Sequence, residues 1–203
     1  FGGIVEIFPM AMIESNIPKI ASVKPYTPLE LAGRDLYIRE GCLGCHSQMI
    51  RPFRSETARY GEYSKSGEYI YDRPFLWGSK RTGPDLHREG GKYPDTWHYN
   101  HMYDPLSMSP GSIMPAYPWL IRDKLNVDQI PKKIKVLRTL GTPYQEGYED
   151  IALEDLEKQA AGIAQNLKKD GIKDEKLSQR EIIAMIAYLQ RLGTDIKVKA
   201  PVH

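Results

Sequence analysis

The stretch Cys42-Leu43-Gly44-Cys45-His46 decides how the rest of the chain is interpreted. Its pattern, C-x-x-C-H, is the attachment signature of a c-type haem, in which two thiols bond covalently to one porphyrin. The histidine directly after the second cysteine then lies under the iron as the proximal ligand. The sequence therefore predicts one covalent haem c, anchored by Cys42 and Cys45 and ligated by His46.

The alternative uses of this cysteine pair are a disulfide or thiol redox chemistry. A zinc site needs four ligands, and no second C-x-x-C motif occurs in the chain. A thioredoxin-like motif needs a βαβ context, which the flanking residues do not show. A plain disulfide explains neither the spacing nor the following histidine. The chain has only two cysteines, so a haem would use both.

The composition is that of an ordinary folded domain. The 203 residues are 27% charged and 41% hydrophobic, which is enough for one substantial domain with a buried core. The formal net charge is only +2, so nothing indicates a nucleic-acid partner.

A candidate for the second iron ligand lies in the run Ser112-Ile113-Met114-Pro115-Ala116-Tyr117-Pro118. A thioether is a soft sixth ligand that raises the reduction potential and suits electron transfer. Met114 lies in a proline-rich loop that could hold it rigidly, so we predict it as the axial ligand. His98 and His101 are the rival ligands, each expected at the surface or in an ordinary hydrogen bond.

The run Thr82-Gly83-Pro84-Asp85-Leu86 offers a partner for the proximal histidine. A carbonyl at Pro84 would accept the Nδ1 proton of His46, which fixes the ring and raises its basicity. Taken alone, such a run is more often a simple turn.

The helix before the cysteines has clear signals at both ends. Thr27, Pro28 and Glu30 form a capping-box pattern, and Gly41 stops the helix. Gly33 and Tyr37 share one face, which favours close approach of another helix over a solvated glycine.

Further helices are expected towards the C-terminus, separated by long loops. They are Asn126–Gly141 opened by Pro131, Asp150–Gly171 with Leu153 and Leu156 on its apolar stripe, and Ser178–Gly193 opened by a capping box at Ser178–Glu181. Residues 47–80 are expected to be a long aromatic-rich loop, either a docking surface or a loop packed on itself. Residues 90–118 are expected to be mostly loop.

The N-terminal residues 1–13 are largely apolar. They are interpreted as the outer end of a transmembrane anchor, and the alternative is an apolar arm that packs on the domain. Residues 14–27 are predicted to be a linker, and residues 194–203 are predicted to be a loose tail.

The order of these features resembles class I cytochromes c. A first helix with Gly33 and Tyr37 is followed by CLGCH, GPDL, a Met-Pro loop and a last helix with Tyr188. The resemblance implies an all-α, class I cytochrome c fold over residues 28–193. Residues 52–80 would then be a loop insertion and residues 121–177 a helical insertion.

Longer runs narrow the resemblance. GRDLYIREGCLGCHSQMIRPFRSE, WGSKRTGPDL and SIMPAYPWL are similar to the membrane-anchored mono-haem subunit of cbb3-type cytochrome c oxidase. This resemblance implies an electron relay from a di-haem cytochrome c subunit to the haem b of the catalytic haem-copper subunit. The chain itself would hold no oxygen-reducing site. It would sit at the bacterial inner membrane with its soluble domain facing the periplasm.

Three other functions stay open from the sequence. They are a membrane-anchored cytochrome c of a nitric oxide reductase, a free-standing electron carrier, and an enzyme acting at its own haem. The run CHSQMIRPF resembles the nitric oxide reductase subunit poorly.

The haem propionates need cationic or hydrogen-bonding partners. Candidates are Arg51, Arg54, Lys80 and Arg81. Arg51 and Arg81 lie inside the family-like runs and are predicted first. The alternative is that either is a surface charge or pairs with a protein carboxylate. Trp77 and Trp119 either wall the haem crevice or belong to the core.

Overall fold

The computed structural model of the chain describes residues 1–12 and 17–197. Across these residues the fold is helical, and the one β-type pairing among them is an isolated antiparallel bridge between Lys124 and Arg180. The α-helices are α1 Gly2–Met12, α2 Pro28–Arg39, α3 Arg54–Tyr60, α4 Asp95–Tyr103, α5 Pro105–Met108, α6 Pro118–Arg122, α7 Ile130–Thr139, α8 Tyr148–Lys169 and α9 Glu181–Arg191. Short 3₁₀ helices lie at Cys42–Gly44, Ser66–Tyr69, Leu177–Gln179 and Asp195–Lys197. The predicted all-α class is confirmed.

Helices α2 and α9 cross at the centre of the domain. A Cβ atom built on Gly33 would lie 1.9 Å from the carbonyl oxygen of Ala184, so only glycine permits this approach. One turn further on, the rings of Tyr37 and Tyr188 meet with centroids 5.4 Å apart and planes inclined by 59°, an ordinary geometry for aromatic pairs. The interpretation of Gly33 as a packing glycine is confirmed.

The start of α2 has the predicted capping box. The Oγ1 atom of Thr27 accepts a hydrogen bond from the amide of Glu30, and the amide of Thr27 donates in return to the Glu30 carboxylate over 2.9 Å. Pro28 occupies the first turn, where its missing N–H costs nothing. The entry angle of α2 is therefore fixed by local chemistry.

The capping box predicted at Ser178–Glu181 is wrong. Ser178 lies inside the 3₁₀ helix Leu177–Gln179, and α9 begins only at Glu181. Arg180 precedes it in extended conformation because its backbone pairs with Lys124. The amide of Glu181 then donates to the carbonyl of Asp123, so backbone contacts replace the side-chain cap.

Helices α7 and α8 pack beside α2. Pro131 lies in the first turn of α7 as predicted, although the helix is shorter than expected at both ends. Leu153, predicted on the buried stripe of α8, is 38% exposed. The buried face includes Ala152, Leu156, Ala160, Ala164 and Leu167. Its three alanines let the α8 backbone come close to its neighbours.

Two segments predicted as loop contain helices. Helix α3 and the 3₁₀ helix Ser66–Tyr69 lie within residues 47–80, and α4 and α5 lie within residues 90–118. These helices carry no regular apolar stripe, so the sequence period did not reveal them. Helix α4 instead buries His98 and Met102.

The chain ends behave differently from one another. On α1 the side chains of Ile4, Val5, Ile7 and Phe8 are all more than 60% exposed, so the interpretation as an arm packed on the domain is wrong. No helix in the described ranges is long and apolar enough to cross a membrane.

At the C-terminal end, Lys197 donates to the carbonyl of Gly90, so the tail is tethered as far as residue 197. Residues 13–16 of the anchor and linker, and 198–203 of the tail, lie outside the described residues.

Candidate haem-binding site

The C-x-x-C-H segment is a compact turn directly after α2. Gly41 turns the chain with φ +71°, and the 3₁₀ helix Cys42–Gly44 follows. The carbonyl of Cys42 accepts from the amides of Cys45 and His46 over 3.1 and 2.9 Å. These bonds fix the two cysteines and the histidine relative to one another before any cofactor is considered.

The two thiols form no disulfide. Cys42 is buried and Cys45 exposed, so one thiol points into the domain and the other towards its surface. Burial raises the pKa of Cys42 to about 12, whereas thiols used in exchange reactions have lowered pKa values. The environment of Cys42 is therefore unsuited to the redox alternative.

The imidazole of His46 is oriented by the backbone of the Thr82–Leu86 run. Its Nδ1–H donates to the carbonyl oxygen of Pro84 over 2.8 Å. Nε2 is then the nitrogen that keeps its lone pair, which is the requirement for a metal ligand. Burial lowers the pKa of His46, which favours the neutral ring.

Two glycines leave room for the ring and the turn. A Cβ atom on Gly83 would lie 2.3 Å from Cε1 of His46. Gly78, with φ +68°, lies against the carbonyls of His46 and Leu43, and a Cβ there would be 2.9 Å from each oxygen. The amide of Gly83 also donates to the carbonyl of Cys45. Residues 78–84 therefore form a close-fitting backbone wall on one side of His46.

A buried carboxylate, not identified from the sequence, holds this wall in place. Asp85 accepts hydrogen bonds from Ser47 Oγ over 2.6 Å, from the amide of Met49 over 2.9 Å and from the amide of His87 over 2.8 Å. Its side chain has no exposed surface. Asp85 thus joins the segment after His46 to the segment after Pro84. The only sequence signal was its place in the GPDL run.

Arg51 and Arg81 lie together on the same side of the turn, linked by Glu56. Arg81 pairs with Glu56 over 2.8 Å and donates to Ser47 Oγ and to the carbonyl of Met49. Arg51 binds the same carboxylate through its side chain and its amide. The Arg81 guanidinium holds the pKa of Glu56 at about 2. Both arginines therefore have a protein carboxylate as partner, and their contact with propionates stays a prediction.

Met114 is half-buried and packs against the hydrophobic core, as do Tyr117 and Trp119. Its loop is attached to the end of α4, because the amide of Tyr117 donates to the carbonyl of Met102 over 2.7 Å. The ligation of iron by Met114 stays a prediction.

The two histidines of α4 differ from the expectation of surface or hydrogen-bonded residues. His98 is 2% exposed, and its Nε2 has no hydrogen-bond partner among the described residues. Burial lowers the pKa of His98 to about 4. The Nδ1 atom of His101 is also buried without a partner there, and its ring stacks on Trp97 at 4.5 Å. Burial, and to a lesser extent the charge of His46, lowers the pKa of His101.

Trp77 and Trp119 make different contacts near the turn. The carbonyl of Trp77 accepts from the amide of Gln48, and its ring stacks on Phe75 at 4.6 Å. Trp77 is 37% exposed, so it belongs to the surface and not to the core. The indole of Trp119 donates to Glu40 over 3.0 Å, beside the cysteines.

These residues fit a haem c. Two unbridged thiols stand next to a histidine whose Nε2 is available, and a glycine-lined wall positions its ring. The described residues include no cluster of three or more His, Cys, Asp or Glu side chains able to hold a metal ion alone.

Comparison with protein families gives a match over almost the whole chain. The family described as "Cytochrome C oxidase, mono-heme subunit/FixO" matches residues 1–196. A search of curated proteins finds no match. The match spans the C-x-x-C-H turn, the Met114 loop and both core helices, and the chain therefore belongs to the FixO family of mono-haem cytochrome c oxidase subunits.

Proposed function

We propose that this chain relays electrons through one covalent haem c in a cbb3-type cytochrome c oxidase. It would accept them from a di-haem cytochrome c subunit and pass them to the haem b of the catalytic haem-copper subunit. Oxygen reduction would take place in that subunit and not in this chain. When bound, the haem supplies a one-electron iron couple. The α2–α9 crossing at Gly33 supports assignment of the domain to the class I cytochrome c fold.

The observation that carries the proposal is the hydrogen bond from His46 to Pro84. It fixes one tautomer, in which Nε2 carries the free lone pair, beside two thiols in a hydrogen-bonded turn. In this proposal Cys42 and Cys45 anchor the porphyrin, and His46 and Met114 ligate the iron. No acid, base or nucleophile is required, because the protein's task is to position the cofactor and tune its potential.

The buried polar residues around the turn would limit movement when the iron changes charge. Asp85 holds the segment after His46 and the segment after Pro84, and Arg81 is itself held by Glu56. Arg51 and Arg81 would lie near the propionates as cations already oriented by this carboxylate. Such pre-oriented groups need little rearrangement when an electron arrives or leaves.

The proposed location is the bacterial inner membrane, with the haem domain facing the periplasm. The apolar side chains exposed on α1 support attachment to a membrane. Alkaline phosphatase is active only outside the cytoplasm, so a fusion of this enzyme after residue 197 would test the orientation. Reporter activity is expected, and an inactive fusion made at normal levels would contradict it.

Visible spectroscopy of the purified full chain tests the proposed cofactor. A c-type pyridine haemochrome, together with the weak long-wavelength band of iron–thioether ligation, is the expected result. A protein without covalent haem would overturn the proposal. A c-type haem without the thioether band would remove Met114 and favour an enzyme acting at its own haem.

Co-purification distinguishes the proposed relay from its two closest alternatives. A tagged chain isolated from membranes should carry the catalytic haem-copper subunit, and its haem should be reoxidised when oxygen is added. The family match favours the oxidase over a nitric oxide reductase or a free-standing carrier. Recovery of the chain alone, or with a nitric oxide-reducing subunit, would contradict the assignment.

A further inference from the structure

A second concave site lies on the outer side of α2, away from the cysteines. It is a groove of about 450 Å³ between α2 and α7, here called the α2–α7 groove. Its apolar walls include Leu31, Ile38, Val136 and Leu137. Val136 is 50% exposed and Ile38 36% exposed, although both face this concave surface. Neither the two cysteines nor His46 lines the groove, so it is not part of the haem site.

The groove is lined by more cationic than anionic side chains. Arg73 and Lys132 line it and form no ion pair among the described residues, whereas Lys133 pairs with Asp35. Arg34 is occupied by Asp72 and by the carbonyls of Arg73 and Pro74. Two uncompensated cations therefore stand beside an apolar surface. This combination is complementary to a ligand with an anionic head and an apolar body.

The backbone around the groove disfavours a peptide as that ligand. An extended peptide needs hydrogen-bond partners for its own N–H and C=O groups. The carbonyls of Arg73 and Pro74, which border the groove, each already accept one hydrogen bond from Arg34, which leaves a single lone pair on each for a peptide N–H. An acyl chain needs no such partners, and the phosphate of a lipid headgroup attached to it needs only the two cations. A volume of about 450 Å³ lies within the range of roughly 300–1,000 Å³ typical of small-ligand sites.

We propose that the α2–α7 groove binds one anionic phospholipid, with its phosphate at Arg73 and Lys132 and an acyl chain along Leu31, Ile38, Val136 and Leu137. The proposal is independent of electron transfer, because the groove shares no lining residue with the haem site. A bound lipid would stabilise the contact between α2 and α7 by occupying their exposed apolar surface.

The test uses the full chain with its covalent haem, purified in a neutral detergent. Calorimetry compares three probes, namely dihexanoylphosphatidylglycerol below its micelle concentration, dihexanoylphosphatidylcholine, and inorganic phosphate. The anionic lipid should bind most tightly. Arg73→Gln with Lys132→Gln should weaken its binding roughly tenfold to thirtyfold, since each cation contributes about a factor of five.

Matched variants separate the groove from general charge. Lys135→Gln with Lys158→Gln removes the same charge from exposed positions on α7 and α8 outside the groove, and should leave binding unchanged. Val136→Gln keeps the charges and should weaken the lipid but not phosphate. Helical circular dichroism confirms that each variant is folded.

Four outcomes would overturn the proposal. Equal binding of both lipids, or equal loss in the two double variants, would mean that no specific anionic site exists. Phosphate binding as tight as that of the lipid would indicate an ion site without an acyl chain. Absence of binding by all three probes would exclude a lipid as the ligand and would favour a protein partner with an acidic surface. The visible spectrum should be the same in every variant, so failure here is distinct from failure of the haem assignment.

Discussion

The Nδ1–H group of His46 donates to the carbonyl oxygen of Pro84 over 2.8 Å, and Gly83 lies directly against the same imidazole ring. The hydrogen bond fixes which nitrogen can bind a metal, and the glycine fixes where the ring can stand. Orientation of the His46 ring is thus set by two consecutive backbone positions distant in sequence from the cysteines.

Substitution of Gly83 by alanine should disturb this orientation. The added methyl group would lie 2.3 Å from the ring of His46, so either the ring or the 78–84 segment must move. We expect a lower yield of covalent haem and an altered thioether band in the visible spectrum. Gly44→Ala is the control, because a Cβ there meets nothing within 4 Å. Equal haem incorporation and equal spectra in the two variants would contradict the role of Gly83.

Replacement of Met114 by alanine should open the sixth position of the iron. Loss of the thioether should lower the reduction potential and allow carbon monoxide to bind the reduced haem. Redox titration and difference spectra measure both effects. Met108→Ala, in the preceding helix α5, is the control and should change neither. An unchanged potential in Met114→Ala would assign the ligand elsewhere, with His98 and His101 as the residues to test next.

Substitution of Gly33 by alanine should destabilise the α2–α9 crossing. A methyl group 1.9 Å from the Ala184 oxygen forces the helices apart, and overpacking of this kind costs about 3 kcal/mol. Denaturant unfolding measures the change in free energy. Gly162→Ala on α8 is the matched control, because its Cβ would meet nothing within 4 Å. That control should be neutral or more stable by up to about 1 kcal/mol, since alanine favours a helix over glycine. Equal stability of both variants would contradict the close crossing.

The buried Glu68 should make stability depend on acid. Burial raises its pKa, but hydrogen bonds from His87 and Arg88 outweigh this and lower it to about 2. A depressed folded pKa means that the stabilisation is complete above the unfolded value near 4.5 and is lost as the pH falls from there towards 2. The free energy of unfolding should drop over this range by an amount on the order of 2–3 kcal/mol.

Urea unfolding between pH 2 and 6 tests the contribution of this carboxylate. Glu68→Gln should lower stability at pH 6 and flatten the dependence between about pH 4.5 and 2. Glu157→Gln, on the exposed surface of α8, should retain the parent slope. Parallel slopes for the parent and Glu68→Gln would assign the acid sensitivity to other carboxylates, such as Glu56.

Local patterns predicted some elements well. Thr27, Pro28 and Glu30 specify the start of α2 through contacts within four residues, and the crossing follows from one glycine and two tyrosines. Helix α4 has no apolar stripe, because its buried positions include a histidine, so no period could reveal it. The start of α9 depends on a bridge to Lys124, far away in the sequence.

The site was predictable to a similar degree. Gly41 predicted that α2 ends just before the cysteines, and the Pro84 carbonyl stands where the sequence interpretation expected it. Asp85 was missed because two of its hydrogen-bond donors, Ser47 and the amide of Met49, lie more than thirty positions away and are brought to it only by the fold. Glu56 was missed for the same reason, since its two arginine partners are separated by thirty positions. Such shared carboxylates leave no regular pattern in a sequence.

The α2–α9 crossing has a consequence for how the chain is made. Gly33 and Ala184 meet at this crossing but are separated in sequence by almost the whole domain. The core can therefore close only after the last helix has left the ribosome or the translocation channel. Until then, Leu29, Leu36 and Tyr37 on α2 lack the surface that buries them. The haem attachment proposed for residues 42–46 would therefore either wait for residues 181–191 or act on a chain whose core is still open.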